Sequence, residues 1–206
     1  MLSCKLLGVT LDSVFDKHII DVTRSCYYHI CAMCHIRPLL TLDVAKAMAV
    51  SILGCRLHYC NSVLYGMSQA NIDKLQCVQN ILVRVVVGAP WTSSSLNICR
   101  DLHWLSVGHR ITYKLRLTTW KTLHTSQPLY LSELISHYLP SRSLYSSNID
   151  LLTRPPSITS NFSSRAFSMS VPSTWNSLPA HIHCIDTLST FKHHLKFHLF
   201  QSAFTI

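Results

Sequence analysis

Glutamate is almost missing from this chain: Glu133 is the only one. A lone glutamate leaves Glu-based acid–base pairs without a partner. No two aspartates are adjacent either. Glycine is scarce at five residues. No Gly-x-Ser-x-Gly elbow, no phosphate-binding Gly-x-x-x-x-Gly-Lys loop and no dinucleotide fingerprint is present. Long apolar runs are lacking as well. The best of them, residues 81–87, carries Arg84 and stops at Gly88-Ala89-Pro90, well short of the roughly 18 apolar residues of a membrane span. The N-terminal apolar run is too short for a signal peptide and has no small-residue cleavage site. The expectation is therefore an intracellular chain, nuclear or cytoplasmic, not secreted and with no membrane partner. Nine cysteines, an odd count without a secretory signal, argue against a disulfide framework.

What is present is apolar and basic. Apolar residues make up 48 % of the 206, enough for a sizeable core in one large or two small domains. Charged residues reach only 13 %, and the balance is lopsided, 18 Lys and Arg against 9 Asp and Glu. A net charge of +9 points to a polyanionic partner or an acidic surface.

The apolar spacing reads as helices. Residues 18–36 are helical and end at Arg37-Pro38, because proline disfavours helix at the residue before it. Thr41 is placed to cap a second helix running to Gly66, with Leu42, Ala45, Ala49, Ile52, Leu53, Leu57, Cys60 and Leu64 on one face. Ser68 opens a third, with Ile72, Leu75, Val78, Leu82 and Val86 inward and Gly88 as its stop. A short helix is expected over 96–102 and a longer one over 107–124. After Pro128 the composition shifts to Ser, Pro and Asn, which predicts loop with short strands near 151–153 and 166–171; a further strand is expected at 7–11. A last helix covers 188–200, with Phe191, Leu195 and Leu199 inward. The fold class is mainly α: a helical bundle, a loop-rich segment with a few short strands, and a C-terminal helix.

Cysteine and histidine (13) suggest metal or redox chemistry. Cys31-Ala32-Met33-Cys34-His35 spells the c-type haem attachment pattern, but covalent attachment needs an export compartment. Cys26, Cys31, Cys34 and His35 form a candidate zinc set, and Cys55, His58 and Cys60 a second group. Both groups fall within predicted helices, where zinc pairs are usually carried on turns. A thiol-redox role lacks the strand–helix setting such pairs use.

Several blocks, in order, carry a family resemblance. They are Leu7-Gly8-Val9-Thr10-Leu11-Asp12, the run from Arg56-Leu57-His58-Tyr59-Cys60-Asn61 to Gly66, Asp73-Lys74-Leu75-Gln76-Cys77-Val78-Gln79-Asn80, and Arg100-Asp101-Leu102-His103-Trp104-Leu105-Ser106-Val107. Pro140-Ser141-Arg142-Ser143-Leu144, Arg165-Ala166-Phe167-Ser168, Trp175-Asn176-Ser177-Leu178-Pro179 and Phe191-Lys192 follow. Together they resemble the C-terminal part of the reverse transcriptase of non-LTR retrotransposons, of the jockey and chicken-repeat type. That resemblance implies an RNA-directed DNA polymerase whose two magnesium ions sit on an aspartate pair of the palm. This chain has no such pair, so no catalysis and no cofactor are expected of it alone. It would begin within the palm's last strand (1–17), continue as a helical thumb (18–127) and end in the loop-rich segment (128–206).

The family's thumb grips the template–primer duplex, so RNA or DNA is the expected partner, bound weakly and without sequence preference. The missing palm and fingers, or a second copy, are the protein partners the resemblance implies. On the predicted 107–124 helix, Arg110, Lys114 and Lys121 fall within about 40° of one another at 100° per residue. With Lys192 and Lys196 they are the candidate phosphate contacts. An ordinary solvated helix face is the competing account of the same residues. Trp91, Trp104, Trp120 and Trp175 are read as packing residues rather than base-stacking platforms. Where the family pattern has arginine this chain has Cys77 and His183, and His58 replaces an aspartate. Arginine codons of the CGN type become Cys or His by one transition, so drift is a sufficient hypothesis for part of the Cys and His surplus.

Overall fold

The computed structural model describes residues 4–12, 14–139, 150–156 and 165–204. The 140–144 block of the resemblance lies outside them, as do most of the Ser-rich stretch around it and residues 1–3. The described chain is mainly α-helical, with one two-stranded sheet. It divides into two compact units, Met1–Arg110 and Ile111–Ile206.

In the first unit, β1 (Cys4–Leu6) and β2 (Val9–Leu11) pair antiparallel across the Leu7–Gly8 turn, where both residues have positive φ. The strand expected at 7–11 is shortened to 9–11 because Leu7 and Gly8 make the turn, and its partner is concealed in the sequence: all three β1 residues are exposed, so no buried alternation marks them. Asp12 then gathers the start of α1 (Asp16–Ile36). Its carboxylate accepts from the backbone N–H of Val14 (2.9 Å), Phe15 and Lys17 (3.3 Å). These are donors that a helix start leaves orphaned. Helix α1 ends where Pro38 enters a 3-10 turn, Arg37–Leu39.

Helix α2 (Leu42–Arg56) is shorter than its apolar pattern predicts. The chain turns over at 57–60, Cys60 takes a left-handed conformation, and Asn61–Leu64 form a 3-10 turn. Tertiary bonds account for the break. The turn lets the Tyr59 hydroxyl donate to Leu7 O at 2.7 Å and sets the His58 ring against Arg110. A continued helix would lose both.

Helix α3 (Gln69–Val87) is the centre of this unit. Leu75, Val78, Leu82, Val83 and Val86 are fully buried against Ile19, Cys26, Ile30 and Met33 of α1 and Ala45 and Ala49 of α2. Each large side chain so buried contributes about 1.5–3 kcal/mol. Buried Gln79 spends its amide on Leu105 O (3.0 Å), and Gln76 accepts from Val107 N (2.9 Å). These bonds tie α3 to the stretch after α4 (Ser95–Asp101). Helix α5 (Val107–Thr125) begins in the first unit and continues into the second.

In the second unit, α6 (Leu129–Ser132) and α8 (Ala180–His183) are single turns; α7 (Phe167–Trp175) and α9 (Leu188–Phe204) carry the packing. Residues 166–171 alternate like a strand but form the start of α7. Helical spacing wins because Val171 and Trp175, four apart, share one face and are both fully buried. The predicted strand at 151–153 is reduced to an isolated bridge, Leu152 with His137. The Asn176 amide takes over the other side of Leu152, accepting from its N–H (2.9 Å) and donating to its C=O (2.8 Å).

Candidate nucleic-acid interface

Trp120 of α5 stacks on Phe191 of α9, with ring centroids 5.5 Å apart. The indole N–H donates to Ile185 O at 2.9 Å, which fixes the ring before α9 begins. Lys121 and Lys192 are the next residues along each helix, and both are exposed. Lys121 borders a cavity of about 540 Å³ whose far wall includes Leu188. Lys192 stands one turn after Leu188 and Lys196 one turn further, so the three share a face of α9. Lys114 lies two turns before Lys121 on the same face of α5 and is also exposed. Among the described residues, no ion pair occupies any of these four lysines. After position 110 the chain has eight Lys and Arg against three Asp and Glu.

Arg110 is placed differently. Its Nε donates to Leu105 O at 2.7 Å, its Nη1 meets His58 Nε2, and the guanidinium lies 5.7 Å from the Trp104 ring centre. Burial pulls its pKa down to about 10. Arg110 thus belongs to the packing of the first unit, apart from the four lysines, which are all in the second.

Arg116 does not stand out in the sequence, yet it is the one Lys or Arg fully buried among the described residues. Its Nε donates to Thr174 O and its Nη2 to Ser177 Oγ, both at 3.0 Å, which anchors α5 to the end of α7. A cation two positions after Lys114 must point to another face of a helix; that offset is the signal the sequence offered.

The tryptophans divide three to one. Trp104, Trp120 and Trp175 are buried, as expected of packing residues, while Trp91 is 71 % exposed. The candidate zinc residues are not brought together. Cys26 faces the core, where burial pushes its thiol up to about 11, while Cys31, Cys34 and His35 are exposed along α1. His35 donates through Nδ1 to Cys31 O (2.7 Å), a bond within its own helix. Of the second group, Cys55 is exposed and His58 is turned to Arg110. Among the described residues no group of three or more His, Cys, Asp or Glu is arranged to hold a metal ion. No described helix is long and apolar enough to cross a membrane. Set against family models, curated proteins and solved structures, the chain finds no match in any of the three.

Proposed function

We propose that this chain is a thumb-like fragment of a non-LTR retrotransposon reverse transcriptase, without the catalytic palm, whose remaining property is weak binding of nucleic-acid duplexes. The observation that carries this reading is the set of four exposed lysines, Lys114, Lys121, Lys192 and Lys196, on two helices joined by the Trp120–Phe191 stack. Such an arrangement suits phosphate backbone, which is held by charge on a firm support regardless of sequence. The ordered series of family-like blocks supports the same reading and, with it, a place beside nucleic acid in the nucleus or cytoplasm. The magnesium chemistry of the family belongs to an aspartate pair that these 206 residues do not contain, so the property proposed for them is binding.

The test is filter binding of a mixed-sequence RNA–DNA duplex at low and moderate salt. Binding at low salt that falls steeply as salt rises supports the proposal. No binding at low salt, or binding indifferent to salt, overturns it.

One observation favours an assembly role as the second reading. Leu7 and Leu39 are 80 % and 86 % exposed, both within the first unit. Apolar side chains this open suit a protein partner, with the palm that the family carries upstream as the natural occupant. A monodisperse monomer on gel filtration, unchanged over concentration, would count against self-association.

A further inference from the structure

The first unit holds a second basic feature that the lysines of the duplex reading do not include. Where α1 ends and α3 ends, a cavity of about 490 Å³ opens between Arg37, Arg84 and Trp91, walled by Pro38 and Ile81. That volume is within the range of small-molecule sites. Both arginines are held by backbone carbonyls. Arg37 donates through Nε to Val85 O (3.1 Å) and Val86 O (2.9 Å), and through Nη1 to Leu40 O (2.9 Å). Arg84 donates through Nε to Ser93 O (3.0 Å) and through Nη1 to Asn80 O (3.2 Å). Each keeps its Nη2 without a partner among the described residues, and neither enters an ion pair there. No carboxylate lines the cavity.

Trp91 completes the arrangement. Arg84 covers one face of its ring, 5.7 Å from the centre, and the side chain is nonetheless 71 % exposed. An indole braced on one side and open on the other is a stacking platform. The end of a helix ordinarily repels anions. Here Arg37 already occupies the last carbonyls of α3, so that negative end is neutralised and the remaining guanidinium charge is uncompensated.

We propose that this cavity is a binding site for a nucleotide, with the phosphate on the free Nη2 groups of Arg37 and Arg84 and the base on the open face of Trp91. Each free Nη2 can donate a charge-assisted hydrogen bond to a phosphate oxygen, and because both guanidinium groups are fixed in advance little side-chain freedom is lost on binding. A planar ring beside a phosphate distinguishes a nucleotide from a bare carboxylate or a free phosphate, neither of which uses the indole. The same chemistry is offered by a free mononucleotide and by an unpaired residue of a single strand. A paired base could not reach the ring face, so the site differs in ligand as well as in residues from the duplex-binding lysines, and either proposal stands or falls without the other.

The full chain carries its own probe, since the other three tryptophans are buried. Titration with AMP is expected to quench tryptophan fluorescence saturably. Adenosine is expected to bind about tenfold more weakly, because it lacks the charge-assisted phosphate bonds. Inorganic phosphate should displace AMP without quenching. A short single-stranded oligoadenylate that binds more tightly than AMP identifies the strand as the source, and equal affinity identifies the free nucleotide. By equilibrium dialysis, Trp91→Ala and Arg84→Lys should each weaken AMP binding about tenfold, with the circular dichroism spectrum unchanged. The proposal is overturned if neither AMP nor the oligomer binds up to about 10 mM, a range that covers weak millimolar sites. It is also overturned if both variants bind AMP like the parent, or if a peptide ending in an acidic residue binds more tightly than AMP.

Discussion

The Trp120 and Phe191 rings stack at 5.5 Å, and each is followed in sequence by an exposed lysine. The packed pair sets the positions of Lys121 and Lys192, and the turns on either side add Lys114 and Lys196. Replacing all four by glutamine removes charge while leaving Trp120 and Phe191 in place. Every phosphate that no longer meets a lysine lowers the slope of log affinity against log salt by about 0.9 on B-form DNA, so the quadruple variant is expected to show a slope shallower by up to about 3.6. The parent and variant are compared by filter binding across a salt series, with melting temperature as the control for folding.

Arg110 and Arg116 should behave in the opposite way. Both guanidinium groups are spent on backbone acceptors, Leu105 O and Thr174 O. Removing Arg110 leaves Leu105 O with the Gln79 amide alone and unseats His58 as well. Removing Arg116 leaves Thr174 O with the Ser177 hydroxyl alone and takes the donor from Ser177 Oγ. Arg110→Met and Arg116→Met are each expected to cost about 1–3 kcal/mol in urea unfolding. The salt slope of duplex binding should stay at the parent value for both.

That contrast shows what a one-dimensional pattern can and cannot reveal. Arg110, Lys114 and Lys121 share a helix face at 100° per residue, and the sequence groups them for that reason. Arg110's partners come from elsewhere: His58 lies on the turn at 57–60, where the apolar pattern predicts unbroken helix. Long helices with one buried stripe, such as α3 and α9, are legible because a single face decides them. Helix α7 is not, since Ser170 and Thr174 are buried there beside Val171 and Trp175 and blur the stripe. Their hydroxyls are satisfied locally, as when Thr174 Oγ1 donates to Ser170 O at 2.9 Å. Trp91 is the remaining departure from the packing expectation: it opens the loop after Pro90, and the chain leaves its ring 71 % exposed.

Gly88 closes α3 in a left-handed conformation, φ +67°. Its own N–H reaches Val85 O (3.2 Å) and the Ala89 N–H reaches Arg84 O (3.0 Å), the paired bonds of a helix stop. A Cβ here would meet no atom within 4 Å, so any cost of Gly88→Ala is conformational rather than steric. The expected loss is about 1 kcal/mol. Gly108→Ala, at an open helical position, is the control and should be neutral or slightly stabilising. Urea midpoints of the two variants check the difference.

The histidines make stability depend on pH, and the sign follows from their surroundings. Burial holds His18, His183 and His198 below the ordinary imidazole value, and Arg116 presses His183 and His198 in the same direction. The geometry at His183 explains its resistance to a second proton. Nε2 faces Leu178 O at 3.2 Å and so carries the hydrogen, while buried Nδ1 has no acceptor among the described residues to receive another. At His18, Nδ1 accepts from Thr10 N at 3.4 Å, a bond that protonation there would break. With the folded pKa below the unfolded one, the unfolded chain binds more protons in the window between them. Stability is therefore complete above about pH 6.5 and falls as the pH drops from there toward the lowered folded values, with no further loss from these groups below them. Thermal melts at about pH 7.5 and about pH 5.5 should show the lower melting temperature in acid. His183→Gln keeps a donor for Leu178 O but cannot titrate, so the gap between the two melting temperatures should narrow. A gap unchanged by that substitution would remove His183 from the account and leave the acid sensitivity to His18 and His198.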